Sequence, residues 1–139
     1  MKILTFVALL AVFSITGWAV QATAAEGANF PSISLKDLKA AMADGTVALL
    51  DCNGTQTFSQ RHIPGAIDFE ANKDNLAKLL PAQKDALIVS YCGNGNCPKY
   101  KQGAEAAAKL GYTQVKHYAP GIRGWTNAGE KTEAVANNK

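Results

Sequence analysis

The sequence predicts an α/β fold in which a parallel β-sheet carries helices on both faces. Short apolar runs of strand length alternate with helical patterns from about residue 34 to residue 129, and this alternation is typical of parallel sheets. Glycines and prolines lie between these segments, where turns and helix ends are expected. No repeat, linker or low-complexity segment divides the region, so we expect a single domain.

A helix and a strand open the domain. Ser34 can cap the helix, because Asp37 follows three residues later, and Gly45 is placed to end it. The apolar run VALLDC at 47–52 has the length of a strand. The NGTQ behind it predicts a turn.

Shorter elements follow this turn. A helical turn at about 57–60 leads into a bend at Pro64 and Gly65, and 66–69 is predicted as a second short strand. Leucines at helical spacing within 72–80 predict a helix that ends before a proline.

The clearest strand of the chain is ALIVSY at 86–91. The loop at 92–97 separates it from an Ala-rich helix predicted over about 98–110, with Gly111 in the C′ position that glycine favours. TQVKHY at 113–118 alternates as a fourth strand, and PGIRGW behind it predicts a turn into a short helix.

The N-terminus has the pattern of an export signal. Lys2 supplies a positive charge, the stretch 3–15 is largely apolar, and Ala22-Thr23-Ala24 offers the small-x-small pattern that signal peptidase reads. An uncleaved membrane anchor is the alternative, because the apolar stretch approaches the length of a bilayer span. We therefore predict a signal peptide at 1–24, a flexible lead-in at 25–33, the domain at 34–129 and a polar tail at 130–139.

This interpretation places the mature protein in the periplasm or outside the cell, without a membrane contact. The formal net charge of +3 is small and no Lys/Arg run is present, so nucleic acid is not an expected partner. Cysteines exported to an oxidising compartment usually pair. The chain has three, Cys52, Cys92 and Cys97, and an odd number leaves at least one thiol free unless chains pair with each other.

The loop that begins at Cys92 is the candidate site. Cys92 lies just past the carboxyl end of a predicted strand, where open α/β sheets bind ligands. Gly93 and Gly95 allow the backbone to curl so that N–H groups point inward, and the following helix adds the positive end of its dipole. Such an anion cradle would comprise Gly93, Asn94, Gly95, Asn96 and Cys97. It would stabilise a Cys92 thiolate, although a buried structural cysteine is the alternative.

Four segments, in this order and spacing, resemble the rhodanese-like sulfurtransferase domain. They are HIPGAI at 62–67, YCGNGN at 91–96, LGY at 110–112 and GIRGW at 121–125. The resemblance covers roughly 34–129 and implies a five-stranded parallel sheet flanked by helices. It also implies that Cys92 takes sulfane sulfur from thiosulfate, polysulfide or a related donor as a persulfide and passes it to cyanide or a thiol, with no metal or organic cofactor.

The chain departs from the common family loop, C-R-x-G-x-R, at both arginines. Gly93 and Cys97 occupy those positions. Lys99, Lys101 and Arg123 could restore positive charge for a small sulfur-containing anion, but without the fixed geometry of two loop arginines. We therefore expect thiosulfate turnover to be reduced.

The role of Cys97 is open, whereas Cys52 and the two histidines are expected to be structural. Cys97 could form a disulfide with Cys92, as a redox partner, if their Cα atoms lie within about 7 Å, or be a partly buried thiol at the helix start. Cys52 is expected to be an apolar strand-end residue. His62 and His117 do not complete a recognisable zinc spacing, so no metal is expected.

Together these observations predict an exported, monomeric sulfurtransferase that carries sulfur on Cys92. Two alternatives remain. One is a thiol–disulfide or redox-sensing protein that uses Cys92 and Cys97. The other is a non-catalytic binding module that keeps the rhodanese fold.

Overall fold

The computed structural model describes residues 29–136. The predicted export signal lies outside the described residues, as do the first four residues of the lead-in and the last three residues of the tail. The strands are β1 (Val47–Asp51), β2 (Ile67–Asp68), β3 (Leu87–Tyr91) and β4 (Gln114–His117). The helices are α1 (Leu35–Ala43), α2 (Thr55–Gln60), α3 (Phe69–Asn72), a 3₁₀ turn (Lys73–Asn75), α4 (Leu76–Leu79), α5 (Tyr100–Lys109) and α6 (Gly121–Asn127).

The strands form one parallel sheet in the order β2-β1-β3-β4. Its two faces are covered by different helices. Leu50 and Ile88 point into a core with α5, whereas their neighbours Leu49 and Val89 point into a core with α1 and α6. The alternation of helices and strands therefore correctly predicted a parallel α/β domain.

The sheet has four strands within residues 29–136, not the five that the resemblance implied. The four coincide with the runs identified in the sequence. At the free edge of β4, Ser32 forms a single parallel bridge with His117, and two backbone hydrogen bonds of 2.9 Å flank it. The chain cannot extend this pairing, because Ser34 already caps α1. The end of the predicted lead-in is thus tied to the sheet edge by one bridge rather than by a strand.

Several helix boundaries differ from the predicted ones. The second helix, α2, begins at Thr55 instead of about 57, and the helix predicted within 72–80 is divided by the 3₁₀ turn before α4. The Asp68 carboxylate accepts a hydrogen bond from the Ala71 N–H, so a helix begins at Phe69 and β2 is only two residues long. After the candidate loop, α5 begins at Tyr100 instead of 98. Pro98 lies in a tighter turn, in which its carbonyl accepts a hydrogen bond from the Lys101 N–H at 3.1 Å. No helix within residues 29–136 is long and apolar enough to cross a bilayer.

Gly103 allows α5 to lie directly against the sheet beneath the candidate loop. A Cβ at this position would be 2.7 Å from Cys52 Sγ and 2.8 Å from Ser90 Oγ. The Ser90 hydroxyl also donates a hydrogen bond of 2.7 Å to the Tyr100 carbonyl. These contacts fix the first turns of α5 on the ends of β1 and β3.

We expect Gly103→Ala to lower the free energy of unfolding by about 1–3 kcal/mol, because the added methyl overpacks this contact. The loss should appear even though alanine favours a helix by about 1 kcal/mol over glycine. Urea unfolding would measure it. Gly95→Ala is the control, since its Cβ would meet its nearest atom at 3.7 Å. A Gly103→Ala protein as stable as the wild type would contradict the close packing.

Candidate active site

The loop after β3 is closed by a disulfide between Cys92 and Cys97, with the Cα atoms 6.2 Å apart. Of the two interpretations left open for Cys97, the structure contains the paired one. Cys92 is only 1% exposed, whereas Cys97 is partly exposed. In this state the Cys92 sulfur is neither a thiolate nor accessible to a donor molecule.

Asn94 folds the loop from within. Its carbonyl accepts a hydrogen bond from the Cys97 N–H at 3.1 Å, and its side-chain oxygen accepts one from the Asn96 N–H at 2.9 Å. The N–H groups of Gly93, Asn94 and Gly95 have no acceptor among residues 29–136. The amides of the predicted cradle therefore fall into two groups. Those of Asn96 and Cys97 form hydrogen bonds that shape the loop, whereas those of Gly93 to Gly95 are available to an anion.

The first turn of α6 holds the start of the loop. The Ile122 N–H donates to the Cys92 carbonyl at 2.9 Å, and the Arg123 N–H donates to the Gly93 carbonyl at 3.1 Å. Gly121 makes this approach possible, because its φ is +61° and a Cβ there would overlap the Cys92 carbonyl oxygen. The GIRGW segment is thus part of the wall of the candidate site.

Asp51 joins the strand ends below the loop. The carboxylate is fully buried, accepts a 2.6 Å hydrogen bond from the Tyr91 hydroxyl and accepts two 2.8 Å bonds from Asn53. The Tyr91 hydroxyl in turn accepts from the Ile63 N–H at 3.0 Å. Burial raises the pKa of Asp51, and the hydrogen bonds oppose that rise without cancelling it. This network ties β1, β3 and the HIPGA bend together.

The three cationic side chains that the sequence suggested for anion binding lie at different places around the loop. Lys99 precedes α5 and lines a pocket beside the loop. Lys101 is exposed on the first turn of α5, and the Arg123 side chain is exposed although its backbone contacts Gly93. Within the described part of the chain, the lysine ion pair joins other residues, Lys39 and Glu130, and His62 Nε2 lies 3.8 Å from a Glu133 carboxylate oxygen.

Cys52 is the neighbour of Cys92 in the sheet. Its N–H donates to the Tyr91 carbonyl at 2.9 Å, so it continues the β1–β3 ladder by one residue. Cys52 and Cys92 share the core on the α5 face. The Cys52 thiol is 5% exposed and 3.3 Å from Ser90 Oγ, and burial raises its pKa to about 11. It is therefore protonated at neutral pH.

A pocket of about 240 Å³ opens beside Cys52. It is lined by Cys52, Gly54, Phe69, Glu70, Lys73, Lys99 and Gln102. Sequence reasoning identified Lys99 but not Glu70 or Lys73, which lie in the short helical segments after β2. The residues come together only because β2 adjoins β1 at this end of the sheet.

The two histidines have structural contacts. His62 stacks on Phe58 and its Nδ1 is 2.8 Å from the Phe58 carbonyl, whereas His117 stacks on Tyr100. Among residues 29–136, no three side chains of histidine, cysteine, aspartate or glutamate gather as metal ligands.

The family model described as Rhodanese-like domain matches residues 34–128. The chain belongs to the rhodanese-like family. Human thiosulfate:glutathione sulfurtransferase is 27% identical over 111 residues, which cover 70% of this chain and 95% of the human protein.

Solved structures of rhodanese-like proteins share the fold. A human single-domain sulfurtransferase, TSTD1, matches with a TM-score of 0.54 at 24% identity and covers 71% of this chain and 97% of its own. A rhodanese-related protein from Thermoplasma volcanium matches with a TM-score of 0.57 at 19% identity, over 77% of this chain and all of its own. At these identities the likeness establishes the fold and leaves the chemistry to the site itself.

The position of Cys52 predicts slow alkylation with an unusual pH dependence. In reduced protein at pH 8, iodoacetamide should modify Cys52 at least about a hundredfold more slowly than Cys97, because very little of it is thiolate. The alkylation rate of Cys52 should rise with pH as the thiol ionises, with the midpoint of the rise at about pH 11. Mass spectrometry of the alkylated peptides would measure both rates. A Cys52 rate that levels off near pH 8.5 would contradict the burial of this thiol.

Proposed function

We propose that the reduced protein is an exported sulfurtransferase that carries sulfane sulfur on Cys92. The observation that carries this proposal is the placement of Cys92 at the carboxyl end of β3, at the start of a loop whose first amides have no acceptor within residues 29–136. Membership of the rhodanese-like family supports it. The sulfurtransferase named among the relatives supports it further.

The first step requires a free Cys92 thiolate, so the disulfide must be reduced beforehand. Two molecules of a small thiol supply the electrons: they become one disulfide, and Cys92 and Cys97 become thiols. Reduction frees the Cys92 sulfur from Cys97 while α6 continues to hold the Cys92 and Gly93 carbonyls. The amides of Gly93 to Gly95 and the dipole of α5 would then favour the thiolate.

Sulfur transfer proceeds by two displacements. The Cys92 thiolate attacks the outer sulfur of thiosulfate, the S–S bond of the donor breaks, and sulfite leaves with the electron pair. The product is the persulfide Cys92–S–S⁻, whose charge the loop amides can bind. An acceptor thiolate or cyanide then attacks the outer sulfur, and the Cys92 thiolate is restored.

The absence of the two loop arginines should weaken binding of an anionic donor such as thiosulfate. Thiosulfate carries two negative charges, and the cations near the loop are on exposed side chains, Lys99, Lys101 and Arg123. Exposed charges are screened by water and salt and hold an anion weakly. We therefore propose that polysulfide, which has no sulfonate group to be held by cations, loads Cys92 more readily than thiosulfate.

Export is part of the proposal because of the N-terminal pattern of residues 1–24. An oxidising compartment would also explain a paired Cys92 and Cys97. A protein in that place would need a local supply of reductant before it could accept sulfur.

Intact mass spectrometry tests the sulfurtransferase with a matched pair of variants. Wild-type protein treated with polysulfide should gain the mass of one sulfur atom only after prior reduction, and cyanide should remove it. Cys97→Ser should gain the sulfur without prior reduction, because Cys92 has no partner. Cys92→Ser should gain none. If neither polysulfide nor thiosulfate adds sulfur to the Cys97→Ser protein, the proposal fails.

A second candidate function is thiol–disulfide exchange, which the Cys92–Cys97 pair favours specifically. Here the loop would cycle between disulfide and dithiol, and sulfur loading would be incidental. The two functions use the same sulfur atom and therefore exclude each other at any one moment.

A thiol count distinguishes the resting states. Protein purified without reductant and then denatured should have one titratable thiol, Cys52, and three after reduction. Three thiols before reduction would contradict a resting disulfide. A disulfide that forms but whose reduction gives no sulfur loading would favour the redox function instead.

A further inference from the structure

The pocket beside Cys52 is lined by charged side chains that have no role in the sulfur-loading step proposed for Cys92. Two lysines and one glutamate lie on its wall, Lys73, Lys99 and Glu70, together with the amide of Gln102. The floor is less polar and is formed by Cys52 and Phe69, which are 5% and 8% exposed. The pocket is thus more polar than most small-molecule sites, which are lined mainly by apolar side chains, and favours a polar or charged ligand.

Glu70 is held in place from outside the pocket. The Thr55 N–H donates to its Oε2 at 3.0 Å, and a Cβ at Gly54 would come within 2.9 Å of the same oxygen. The other carboxylate oxygen, Oε1, has no hydrogen-bond donor among residues 29–136. The carboxylate is thus fixed through one oxygen and can accept a hydrogen bond through the other.

The lysines supply the opposite charge. Neither Lys73 nor Lys99 forms an ion pair within residues 29–136. Glu70, Lys73 and Lys99 are all exposed, so the pocket presents negative charge on one wall residue and positive charge on two others, each screened in part by solvent. A ligand that carries both an ammonium and a carboxylate matches this pattern better than a simple anion, for which Glu70 would be repulsive.

The size of the pocket limits the ligand. Its volume of about 240 Å³ exceeds the roughly 150 Å³ of a cavity that holds one benzene and is below the roughly 300 Å³ at which pockets for drug-sized ligands begin. A molecule of amino-acid size fits these limits.

The pocket lies at the end of the strand next to the one that carries Cys92. Cys52 on its floor follows β1, Cys92 follows β3, and the two strands are hydrogen-bonded neighbours. Neighbouring strands are about 4.8 Å apart. Cys92 itself does not line the pocket, so the strand spacing is the argument for proximity. Lys99 lines the pocket and is two residues beyond Cys97.

We propose that this pocket binds the sulfur acceptor, and that the acceptor is a small zwitterionic thiol of the amino-acid class. This inference rests on the proposed sulfurtransferase function. The carboxylate of the acceptor pairs with Lys73 and Lys99, its ammonium pairs with Glu70, and its sulfur points towards Cys92.

The transfer step is balanced without a further reagent. The acceptor thiol loses its proton to solvent, and its thiolate attacks the outer sulfur of Cys92–S–S⁻. The bond between that sulfur and Cys92 Sγ breaks, and the electron pair remains on Cys92. The products are the acceptor persulfide and the Cys92 thiolate.

Binding is tested first with S-methyl-L-cysteine, a thioether that cannot take part in sulfur or disulfide exchange. Titrated into the full-length protein, it should shift the amide NMR signals of Gly54, Glu70 and Gln102. Two analogues that each lack one charge are compared, 3-(methylsulfanyl)propanoate and 2-(methylsulfanyl)ethylamine. Each should bind about two- to fivefold more weakly, as expected for loss of one exposed ion pair.

Variants assign the charges. Lys73→Gln and Glu70→Gln should each weaken S-methyl-L-cysteine about two- to fivefold. Lys109→Gln, which removes an exposed lysine from the far end of α5, should bind as the wild type does. Equal affinity for all three compounds, or signal shifts confined to other parts of the protein, would overturn the inference.

The same variants test the role as acceptor site. In protein already loaded with sulfur, the concentration of L-cysteine that half-saturates unloading should rise about two- to fivefold in Lys73→Gln and not in Lys109→Gln. If sulfur loads on Cys92 but S-methyl-L-cysteine does not bind, only the acceptor pocket is refuted. If the probe binds in the pocket but no sulfur loads, the sulfurtransferase is refuted, and with it the role of the occupant as acceptor.

Discussion

The candidate site depends on the contact between the first turn of α6 and the start of the loop. Backbone N–H groups of Ile122 and Arg123 hold the carbonyls of Cys92 and Gly93, and the close approach requires glycine at position 121. These are backbone interactions and do not involve the sulfur. They fix the peptide that carries Cys92, and in the proposed function they would anchor the loop while the side chain alternates between Cys97 and a donor.

The network below the loop complements this anchor. The buried Asp51 carboxylate binds the Tyr91 hydroxyl and Asn53, and so joins the ends of the two central strands. Burial raises the pKa of Asp51, which means that part of the hydrogen-bond energy offsets the cost of a charge without water. A carboxylate occupied in this way serves as a structural acceptor, and proton transfer would have to come from the thiols themselves or from solvent.

The disulfide sets the condition under which the site can act. The disulfide with Cys97 leaves Cys92 almost completely buried. In the proposed function Cys92 holds either Cys97 or a sulfane sulfur, so Cys97, in place of a loop arginine, would block the nucleophile. A small thiol would then act in two steps, first by reducing the disulfide and later by removing the sulfur.

Much of the fold could be read from the sequence, because apolar runs and helix-ending glycines are local signals. The four strands and the position of Cys92 at a strand end follow from such signals. The fifth strand came from the family resemblance alone, and at the free edge of β4 the described chain forms only the Ser32 bridge. The pocket could not be predicted, since Glu70, Lys73 and Lys99 come from segments that only the strand order brings together. The pairing of Cys97 was an open alternative, because loop curvature decides the distance between two Cα atoms and is not encoded by spacing.

The most direct test of this account is to locate the sulfur by peptide mapping of wild-type protein treated with polysulfide, with and without prior reduction. After reduction, the additional sulfur should be on the peptide that contains Cys92, and the oxidised sample should show the Cys92–Cys97 disulfide and no additional sulfur. Sulfur found on Cys52 or Cys97, or loading that does not depend on reduction, would contradict Cys92 as the gated carrier.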